Sequence, residues 1–311
     1  MEWEPVYVRT HEKGLLKEKI KEAYTLLESC VLCARRCGVN RLGGEEGFCK
    51  VRDEPVVSSF NPHFGEETPL VGYGGSGTIF LTHCNLGCIF CQNYDISHLG
   101  KGYVTSSAKI AEIMLSLQRR GCHNINFVTP THQMPFLIKA IEIAAEKGLS
   151  LPIVWNCGGY ESLDALKILD GIVDIYMPDF KFWDERTAFR YTRARSYPDV
   201  ARNALREMHR QVGDLYINAE GIALRGLLVR HLVLPERLAG TKDLVRWLSE
   251  EISPRTYLNV MAQYRPCYRA FEFLELSRCI TEAEYNEALG WARDAGLRLD
   301  QDIAPIRRIF F

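Results

Sequence analysis

Three cysteines on one short segment carry the clearest chemistry in this 311-residue chain. Cys84, Cys88 and Cys91 follow the spacing Cys-x3-Cys-x2-Cys. Three thiolates on one compact loop can ligate three irons of a [4Fe-4S] cubane, and the fourth iron then stays open to a cofactor or substrate. The alternative is a structural zinc site, which takes a fourth ligand, and His83 or His98 is near enough in sequence to supply one.

A second cysteine group lies closer to the N-terminus, with the spacing Cys-x2-Cys-x3-Cys-x11-Cys. Its members are Cys30, Cys33, Cys37 and Cys49. Four thiolates can close a structural zinc site or hold a complete iron–sulfur cluster, and the spacing does not separate the two. A cluster would relay electrons or orient a substrate, whereas zinc would hold this segment folded. Four of the eleven cysteines are scattered, and core packing is expected for Cys122 and Cys279.

Strands and helices alternate along the chain and must position these groups. The hydrophobic pattern predicts strands at about 78–82, 124–129, 152–156, 173–177, 226–234 and 256–261. The first helix is predicted at about 107–120, and the second ends near Gly148. The later helices are predicted at about 161–170, 198–212, 241–251 and 281–295. Six βα units require a parallel sheet with helical crossovers. They fit either a doubly wound sheet or an incomplete barrel, and periodicity does not choose between these architectures.

Two features precede the alternating region. Residues 14–29 are predicted to form an amphipathic helix, and residues 56–60 read as a short strand. The glycines at 72, 74 and 77 formally match a dinucleotide-binding fingerprint. They precede a strand instead of following one and opening a helix, so a Rossmann site is excluded.

Composition restricts the classes of function. The chain is 47% hydrophobic and 25% charged, which is ordinary for a globular protein, and its formal net charge of −1 gives no reason to expect nucleic-acid binding. The N-terminal residues do not read as a signal peptide, and no apolar run is long enough to span a membrane. Clustered cysteines suit metal binding in a reducing compartment, so a cytoplasmic location is expected.

The cysteine segment, with Phe90 directly before its third cysteine, resembles the signature of the radical S-adenosylmethionine (SAM) superfamily. Over about 76–266, together with the Cys30–Cys49 region, the chain is most similar to the group related to pyruvate formate-lyase activating enzyme, which activates a glycyl radical enzyme. The resemblance implies an α/β fold, a partial (β/α)6 TIM-type barrel with an N-terminal cysteine-rich extension. We expect a helix and metal-binding segment at 1–70, the barrel at 71–300 and a tail at 301–311.

The resemblance also implies an activity. A [4Fe-4S] cluster would deliver one electron to SAM, and the resulting 5′-deoxyadenosyl radical would abstract hydrogen from a protein or peptide, as in glycyl radical installation. Flavodoxin or ferredoxin is the implied electron donor. The alternatives are a radical enzyme acting on another peptide or a small metabolite, or a non-enzymatic metal-binding scaffold. Methyl transfer without a radical would need a glycine-rich loop where the cysteines stand.

In the resembled family the carboxyl ends of the barrel strands bind SAM, which is the usual place for chemistry in such barrels. No residue is assigned a catalytic role of its own. The implied cofactor-binding residues are Phe90, Thr129, Thr131, Asn156, Asp179, Lys181, Arg230 and Gln263. The position of Gln263 or Tyr264 corresponds to that of a family histidine that faces the adenosyl group.

One strand end departs from the family pattern. A Gly-Gly-Glu stretch normally binds the SAM amino group at the end of the second strand, and this chain has Thr129-Pro130-Thr131-His132 there. Thr129, Thr131 or His132 is expected to substitute through an oxygen. Simpler interpretations also stand: Asp179 and Lys181 would form an exposed ion pair, and His132 and His231 would be packed rather than functional. Glu66 and Glu67 are weaker candidates for facing the cavity.

Overall fold

Ten β-strands form one sheet at the centre of the molecule, in a computed structural model that describes residues 3–302. They are β1 (Val56–His63), β2 (Ser76–Leu81), β3 (Tyr103–Val104), β4 (Ile125–Val128), β5 (Ile153–Cys157), β6 (Ile175–Pro178), β7 (Tyr216–Ile217), β8 (Ala223–Leu232), β9 (Tyr257–Met261) and β10 (Arg298–Leu299). The order in the sheet is β10-β9-β8-β6-β5-β4-β2-β1-β3, and β7 pairs with β8.

Helices connect the parallel strands on the outside of this sheet. They are α1 (Val6–Glu12), α2 (Leu15–Glu28), α3 (Thr68–Val71), α4 (Tyr94–Ser97), α5 (Ser107–Arg119), α6 (Met134–Glu146), α7 (Leu163–Leu169), α8 (Glu185–Thr192), α9 (Tyr197–Val212), α10 (Thr241–Trp247) and α11 (Glu282–Asp294). The pairs β2–β4, β4–β5, β5–β6, β6–β8, β8–β9 and β9–β10 are all parallel, and at least one helix connects each pair. The six predicted βα units are confirmed.

Contacts between distant strands show that the sheet curves around an interior. Asn259 on β9 donates a hydrogen bond of 3.0 Å to Glu67, which follows β1. Arg230 on β8 lies 3.6 Å from the carboxylate of Glu66. In the strand order β9 and β1 are separated by β8, β6, β5, β4 and β2, so these contacts require a curved sheet. The expected partial barrel is therefore confirmed, and the doubly wound alternative is excluded.

The connection between β1 and β2 fills one end of the barrel. Leu70 on α3 is fully buried and packs against apolar side chains from the strands and their connections. This cluster also contains Val154, Ile175, Met177, Leu215, Ala223, Leu228 and Tyr257. Burying such a leucine contributes about 1.5–3 kcal/mol, which holds α3 in place. The remaining interior space lies toward the carboxyl ends of the strands.

The N-terminal helices pack on the outside of the barrel. The Val6 N–H donates a 2.8 Å hydrogen bond to Asp174, whose other carboxylate oxygen accepts one of 2.9 Å from the Ile153 N–H. Burial raises the pKa of Asp174 to about 7. The predicted helix at 14–29 corresponds to α2 and is confirmed. Within residues 3–302 no helix is long and apolar enough to cross a membrane. The apolar stretch at 306–311, expected to pack on the barrel or meet a partner, lies outside the described residues.

Candidate active site

The loop after β2 carries Cys84, Cys88 and Cys91. Cys84 Sγ accepts a 3.3 Å hydrogen bond from the Leu86 N–H, and Cys91 Sγ lies 3.1 Å from the hydroxyl of Ser97. The backbone carbonyl of Cys88 lies 2.9 Å from His98 Nε2. The loop is thus held by its own backbone and by the segment that follows it, and none of the three cysteines is in a disulfide bond.

Burial shapes the chemistry of these thiols. It raises the pKa of Cys84 and of Cys88, and neighbouring cysteines raise both further, while the Lys181 ammonium lowers them. Buried thiolates therefore need a positively charged partner, and the irons of a cluster supply one.

Of the two histidines that could complete a zinc site, His98 is engaged elsewhere. His98 is bound to the Cys88 carbonyl, and its ring stacks on Tyr268 with centroids 4.4 Å apart. Across residues 3–302, no three His, Cys, Asp or Glu side chains are gathered around one point that would suit a single metal ion. A loop with three thiolates fits a cubane with one open iron better than it fits a closed zinc site.

A cavity of about 260 Å³ joins this loop to the carboxyl ends of the barrel strands. All three cysteines line it, and so do seven of the eight side chains predicted to bind a cofactor. These seven are Phe90, Thr129, Asn156, Asp179, Lys181, Arg230 and Gln263. The structure does not bring Thr131 to this cavity. Thr131 is 2% exposed, and its hydroxyl donates a 2.8 Å hydrogen bond to Glu161 behind β4 and β5.

Arg230 is the centre of the charge network in the cavity wall. Its Nε donates to Asp179 Oδ1 at 2.8 Å, and one Nη donates to Asn156 Oδ1 at 2.8 Å. Asp179 also accepts a hydrogen bond from Lys181 Nζ at 2.5 Å. The Asp179 and Lys181 side chains are only 14% and 19% exposed. The simpler interpretation of an exposed pair therefore does not describe them, and their interaction is stronger than that of a surface ion pair.

The charges in this network support one another. Burial by itself raises the pKa of Asp179, but Arg230 and Lys181 outweigh it, so the pKa of Asp179 lies below its usual range. Burial likewise lowers the pKa of Lys181, yet Asp179 keeps it above its usual value. Both groups are charged at neutral pH, and they present a fixed ion pair to the cavity.

Glu66 and Glu67 reach the same network from the segment between β1 and α3. Glu66 lies 3.6 Å and Glu67 3.9 Å from the guanidinium of Arg230. Burial raises the pKa of Glu66 to about 7, Glu67 raises it as well, and Arg230 opposes them. Neither carboxylate lines the cavity directly. They stand behind Arg230 and hold its charge toward the strand ends.

The end of β4 turns sharply where the family has its Gly-Gly-Glu stretch. Thr129 has a left-handed backbone (φ 59°), and its N–H donates a 2.8 Å hydrogen bond to the Asn156 carbonyl. This conformation is strained for a β-branched residue. It keeps Thr129 at the cavity and directs Thr131 and His132 away from it.

Phe90 and Gln263 also line the cavity. Phe90 is 5% exposed and packs edge-on against Phe182 and Tyr264, with centroids 5.9 and 6.1 Å apart. The Gln263 carbonyl accepts a 2.8 Å hydrogen bond from the Gln92 side chain. Tyr264 is turned away, and its hydroxyl donates to the Leu276 carbonyl at 2.7 Å. Of the two candidates for facing the adenosyl group, Gln263 lines the cavity.

The two histidines considered in the sequence are structural. His132 Nε2 lies 2.9 Å from the Thr82 carbonyl, and His231 lies 2.6 Å from the Phe180 carbonyl and 2.8 Å from the Thr241 hydroxyl. Burial lowers the pKa of His132 to about 3 and that of His231 to about 4. Both are neutral at physiological pH and stay inside the protein.

Sequence reasoning missed several residues of the cavity wall. They are Leu86, Gly87, Gln92, Asn93, Ser97, His98, Val128, Cys157, Leu232 and Met261. For Leu232 a signal was present, because it lies two residues beyond Arg230 on β8 and alternate residues share one face of a strand. The residues after Cys91 gave no such signal, since their position depends on how the loop folds back.

The four N-terminal cysteines lie beside the same loop. Cys30, Cys33 and Cys49 are buried, and Cys37 is exposed. Of the two scattered cysteines expected in the core, Cys122 is buried, but Cys279 is exposed, so that prediction was wrong for Cys279. Arg35, between the second and third of them, donates to the backbone carbonyls of Asn85 and Leu86 at 2.9 and 2.7 Å. The two cysteine groups predicted separately are therefore neighbours in the fold.

A second cavity lies between the two cysteine groups. Cys49 and Cys84, one from each group, both line it. Four of its lining residues have left-handed backbone conformations although they are not glycine: Lys50, His83, Arg193 and Tyr268. Such strain costs of order 1–3 kcal/mol per residue and often accumulates around functional sites.

One protein-family model and one curated protein match this chain. Residues 78–221 match the model of the radical SAM superfamily. An uncharacterized protein of Methanocaldococcus jannaschii, MJ0674, is 31% identical over 298 residues, which cover 93% of this chain and 81% of that protein.

Two solved structures are also similar to this chain. A radical SAM methyltransferase from Sphaerobacter thermophilus is 13% identical with a TM-score of 0.49, over 71% of this chain and 65% of that one. SuiB of Streptococcus suis bound to S-adenosylmethionine is 12% identical with a TM-score of 0.48, over 70% and 48%. The chain thus spans less than two thirds of either structure.

The fold and the three-cysteine loop define an α/β-barrel protein whose loop offers thiol ligands for an iron–sulfur cluster. The chain belongs to the radical SAM superfamily. Membership implies a [4Fe-4S] cluster and SAM, and the cavity lined by Cys84, Cys88 and Cys91 has the donor groups for both. The narrower resemblance to glycyl radical activating enzymes stays a prediction.

Proposed function

We propose that this protein cleaves SAM reductively and uses the radical to abstract hydrogen from a protein or peptide. One observation carries the proposal: a single cavity joins three free cysteines to Asn156, the buried Asp179–Lys181 pair and Arg230. Cys84, Cys88 and Cys91 would hold the cluster. When bound, the cluster supplies one electron that breaks the sulfonium bond of SAM and yields the 5′-deoxyadenosyl radical.

The residues of this chain would bind and orient SAM. Lys181 Nζ makes one hydrogen bond, to Asp179, and its other donors suit a carboxylate. Asp179 and Asn156 are held by Arg230, so their remaining lone pairs suit an ammonium group or ribose hydroxyls. The backbone beside Phe90 would meet the adenine, and Gln263 and Thr129 would complete the wall. A fixed network lowers the cost of ordering these groups on binding.

A surface next to the cavity supports a peptide or protein substrate. Large apolar side chains are exposed on the two segments that flank it, at residues 94–99 and 268–274. They are Tyr94, Leu99, Tyr268, Phe271 and Leu274, and the last two are 67% and 87% exposed. Tyr94 stacks on Tyr268 with centroids 5.3 Å apart, which joins the two segments. Clustered exposed apolar groups are typical of protein-binding surfaces. Glycyl radical installation is the specific form of this proposal, and a small metabolite is the alternative substrate.

We also propose the partners and the setting of the reaction. A low-potential one-electron donor, flavodoxin or ferredoxin, would reduce the cluster, and a reducing cytoplasm would keep the cysteines as thiols. The non-enzymatic scaffold loses support because the chain belongs to a superfamily of SAM-cleaving enzymes. The four N-terminal cysteines would hold a second metal centre.

The test is an anaerobic assay. The protein is purified without oxygen, reconstituted with iron and sulfide, reduced with dithionite and given SAM, and 5′-deoxyadenosine is measured. Wild type and Cys122→Ala, a variant in a buried cysteine outside both groups, should produce it, and Cys88→Ala should not. Wild-type protein that holds its iron yet yields no 5′-deoxyadenosine would contradict the proposal. Adding short glycine-containing peptides with deuterium at Cα then tests the substrate class through deuterium transfer into 5′-deoxyadenosine.

A further inference from the structure

We propose that Arg35 is a positioning residue for the radical site: it holds two peptide groups so that their N–H groups point at the Cys84 sulfur, and it thereby raises the reduction potential of the cluster. Because the cluster at Cys84, Cys88 and Cys91 belongs to the proposed function, this role rests on that function. Arg35 comes from the loop of Cys30–Cys49 and not from a strand end of the barrel.

The sulfur of Cys84 accepts hydrogen bonds from the backbone of its own loop. The Leu86 N–H donates to Cys84 Sγ at 3.3 Å. Burial raises the pKa of Cys84, and the N–H groups of Leu86 and Gly87 oppose this rise, so Gly87 interacts with the same sulfur. Such donors stabilise negative charge on a cluster sulfur, and hydrogen bonds to the sulfurs help to set the reduction potential of a cluster.

Arg35 binds the opposite ends of the same two peptide groups. Its Nε donates to the Asn85 carbonyl at 2.9 Å, and one Nη donates to the Leu86 carbonyl at 2.7 Å. The Asn85 carbonyl and the Leu86 N–H belong to one peptide group, and the Leu86 carbonyl and the Gly87 N–H belong to the next. Both N–H groups that interact with Cys84 are therefore anchored, through their carbonyl oxygens, by one guanidinium.

A cation on a peptide oxygen affects the N–H of the same peptide group in two ways. The peptide group is planar, so a fixed carbonyl also fixes the direction of the N–H. A positive charge on the oxygen draws electron density away from the nitrogen, and hydrogen bonds in series strengthen one another by about 10–30% per bond. Arg35 thus acts on the Cys84 sulfur through the backbone.

The guanidinium of Arg35 is itself held on its other sides. It donates to the carbonyl of Thr192 at 3.0 Å and to that of Arg193, both at the end of α8. It lies 3.8 Å from the ring centre of Phe48 and 5.4 Å from that of Tyr160. An arginine suits this position because its donors form a rigid planar fork and its charge is permanent, whereas a lysine is a single point charge on a flexible chain.

The other two thiols of the radical site have different neighbours. Cys91 Sγ lies 3.1 Å from the Ser97 hydroxyl. Burial raises the pKa of Cys88, and the Lys181 ammonium opposes this rise. The effect of Arg35 is therefore expected at the corner of the cubane that Cys84 ligates.

The first test measures the reduction potential of the cluster in the reconstituted protein. In Arg35→Gln both carbonyls lose their cation, and reduction should become about 10-fold less favourable, which makes the one-electron midpoint potential about 59 mV more negative. The EPR signal that changes when SAM is added identifies this cluster in a redox titration. Arg36→Gln is the matched control, because exposed Arg36 pairs with Asp164 at 3.7 Å. Equal potentials in the two variants would overturn the proposal.

A second measurement uses the metal-free protein. If Arg35 holds the two peptide groups, amide hydrogen exchange at Leu86 and Gly87 should be at least about 10-fold faster in Arg35→Gln than in Arg36→Gln. The amides of β4 should exchange at the same rate in both variants, which shows that the barrel stays folded. Equal exchange at Leu86 and Gly87 would contradict the positioning role, whether or not the cluster cleaves SAM.

Arg35→Lys separates the charge of Arg35 from its planar fork, and it replaces Arg35→Gln if that variant does not fold. Lysine keeps the charge but not the fork, so the potential should lie between those of wild type and Arg35→Gln, and exchange at Leu86 should still be faster than in Arg36→Gln. Wild-type values of both in Arg35→Lys would contradict the geometric role. Wild type that forms no 5′-deoxyadenosine, while the exchange difference remains, would refute the proposed function alone.

Discussion

The two cysteine loops of this protein lie side by side yet differ in what surrounds them. The loop of Cys84, Cys88 and Cys91 opens onto a cavity lined by polar strand ends. The loop of Cys30–Cys49 has a fourth cysteine, and two of its arginines, Arg35 and Arg41, donate to backbone carbonyls. Under our proposal, reactivity belongs to the loop that lacks a fourth cysteine and opens onto a binding cavity, and it does not follow from the number of cysteines.

We expect the largest difference between the two loops when one cysteine is removed from each in turn. Cys91→Ser removes a ligand of the open site and should lower 5′-deoxyadenosine formation by more than about 100-fold, beyond the loss typical of an outer-shell change. Cys37→Ser should lower it by less than about 10-fold, because Cys37 does not line the cavity of the radical site and its loop contacts that site through residues such as Arg35. Initial rates with dithionite as reductant measure both effects. Equal losses would mean that the two loops form a single functional unit.

Arg230→Met tests whether the open site depends on its charge network. The change leaves Asp179 without one of its two cationic partners and Glu66 and Glu67 without theirs, so the free energy of unfolding should fall by about 3–5 kcal/mol. Urea denaturation at pH 7.5 measures it. Arg230→Met/Glu66→Gln should recover part of the loss, because one unpaired carboxylate is removed. A single-variant loss below 1 kcal/mol would show that water enters this network.

Gly87→Ala tests the packing contact between the two cysteine loops. Gly87 has φ of 76°, and a Cβ there would lie 2.9 Å from the ring of Phe48 in the N-terminal loop. The strained backbone and the overlap should cost about 1–3 kcal/mol of stability. Gly87→Ala/Phe48→Ala should relieve the overlap but keep the backbone strain. Thermal unfolding of both variants separates the cost of the strained backbone from the cost of the overlap with Phe48. Identical losses of stability in the two variants would show that the Phe48 ring moves aside freely.

His231 gives the smallest effect and lies away from both loops. Burial lowers its pKa to about 4, so between pH 6.5 and 4 the unfolded chain binds a proton that the folded protein does not. The stability contributed by neutral His231 is full above about pH 6.5 and is lost as the pH falls toward 4. From pH 7.5 to 5.0 wild type should lose about 2 kcal/mol more than His231→Asn. Urea unfolding at both pH values measures the two free energies. Equal losses of stability in wild type and in His231→Asn would show that other groups cause the acid sensitivity.

Much of the barrel could be predicted from the sequence because each βα unit is built from residues that are close together in the chain. Hydrophobic periodicity predicts each strand and the helix after it, and the capping box at Thr281 and Glu284 marks the start of α11. Other elements were missed. β1 continues to His63 and pairs antiparallel with β2, and α8 was not predicted. The short α8 is largely polar, and the full length of β1 depends on pairing that the sequence does not display.

The site was predictable where it follows from strand ends and not where the chain turns. Asn156, Asp179 and Arg230 lie at strand ends and meet because parallel strands share an edge. Thr131 is only two residues beyond Thr129, but the left-handed turn at Thr129 separates them. The position of Glu66 beside Arg230 depends on the curvature of the whole sheet.

The position of Leu70 has a consequence for the order of folding. Its helix is made early on the ribosome, whereas most of the side chains that surround it come from β5, β6, β8 and β9, which emerge later. Leu70 is therefore synthesised before most of the residues that pack against it, and nearly all of these contacts join residues that are far apart in the sequence. Contacts of this kind form slowly, so Leu70 and α3 lack most of their packing partners in the nascent chain until β9 has been synthesised.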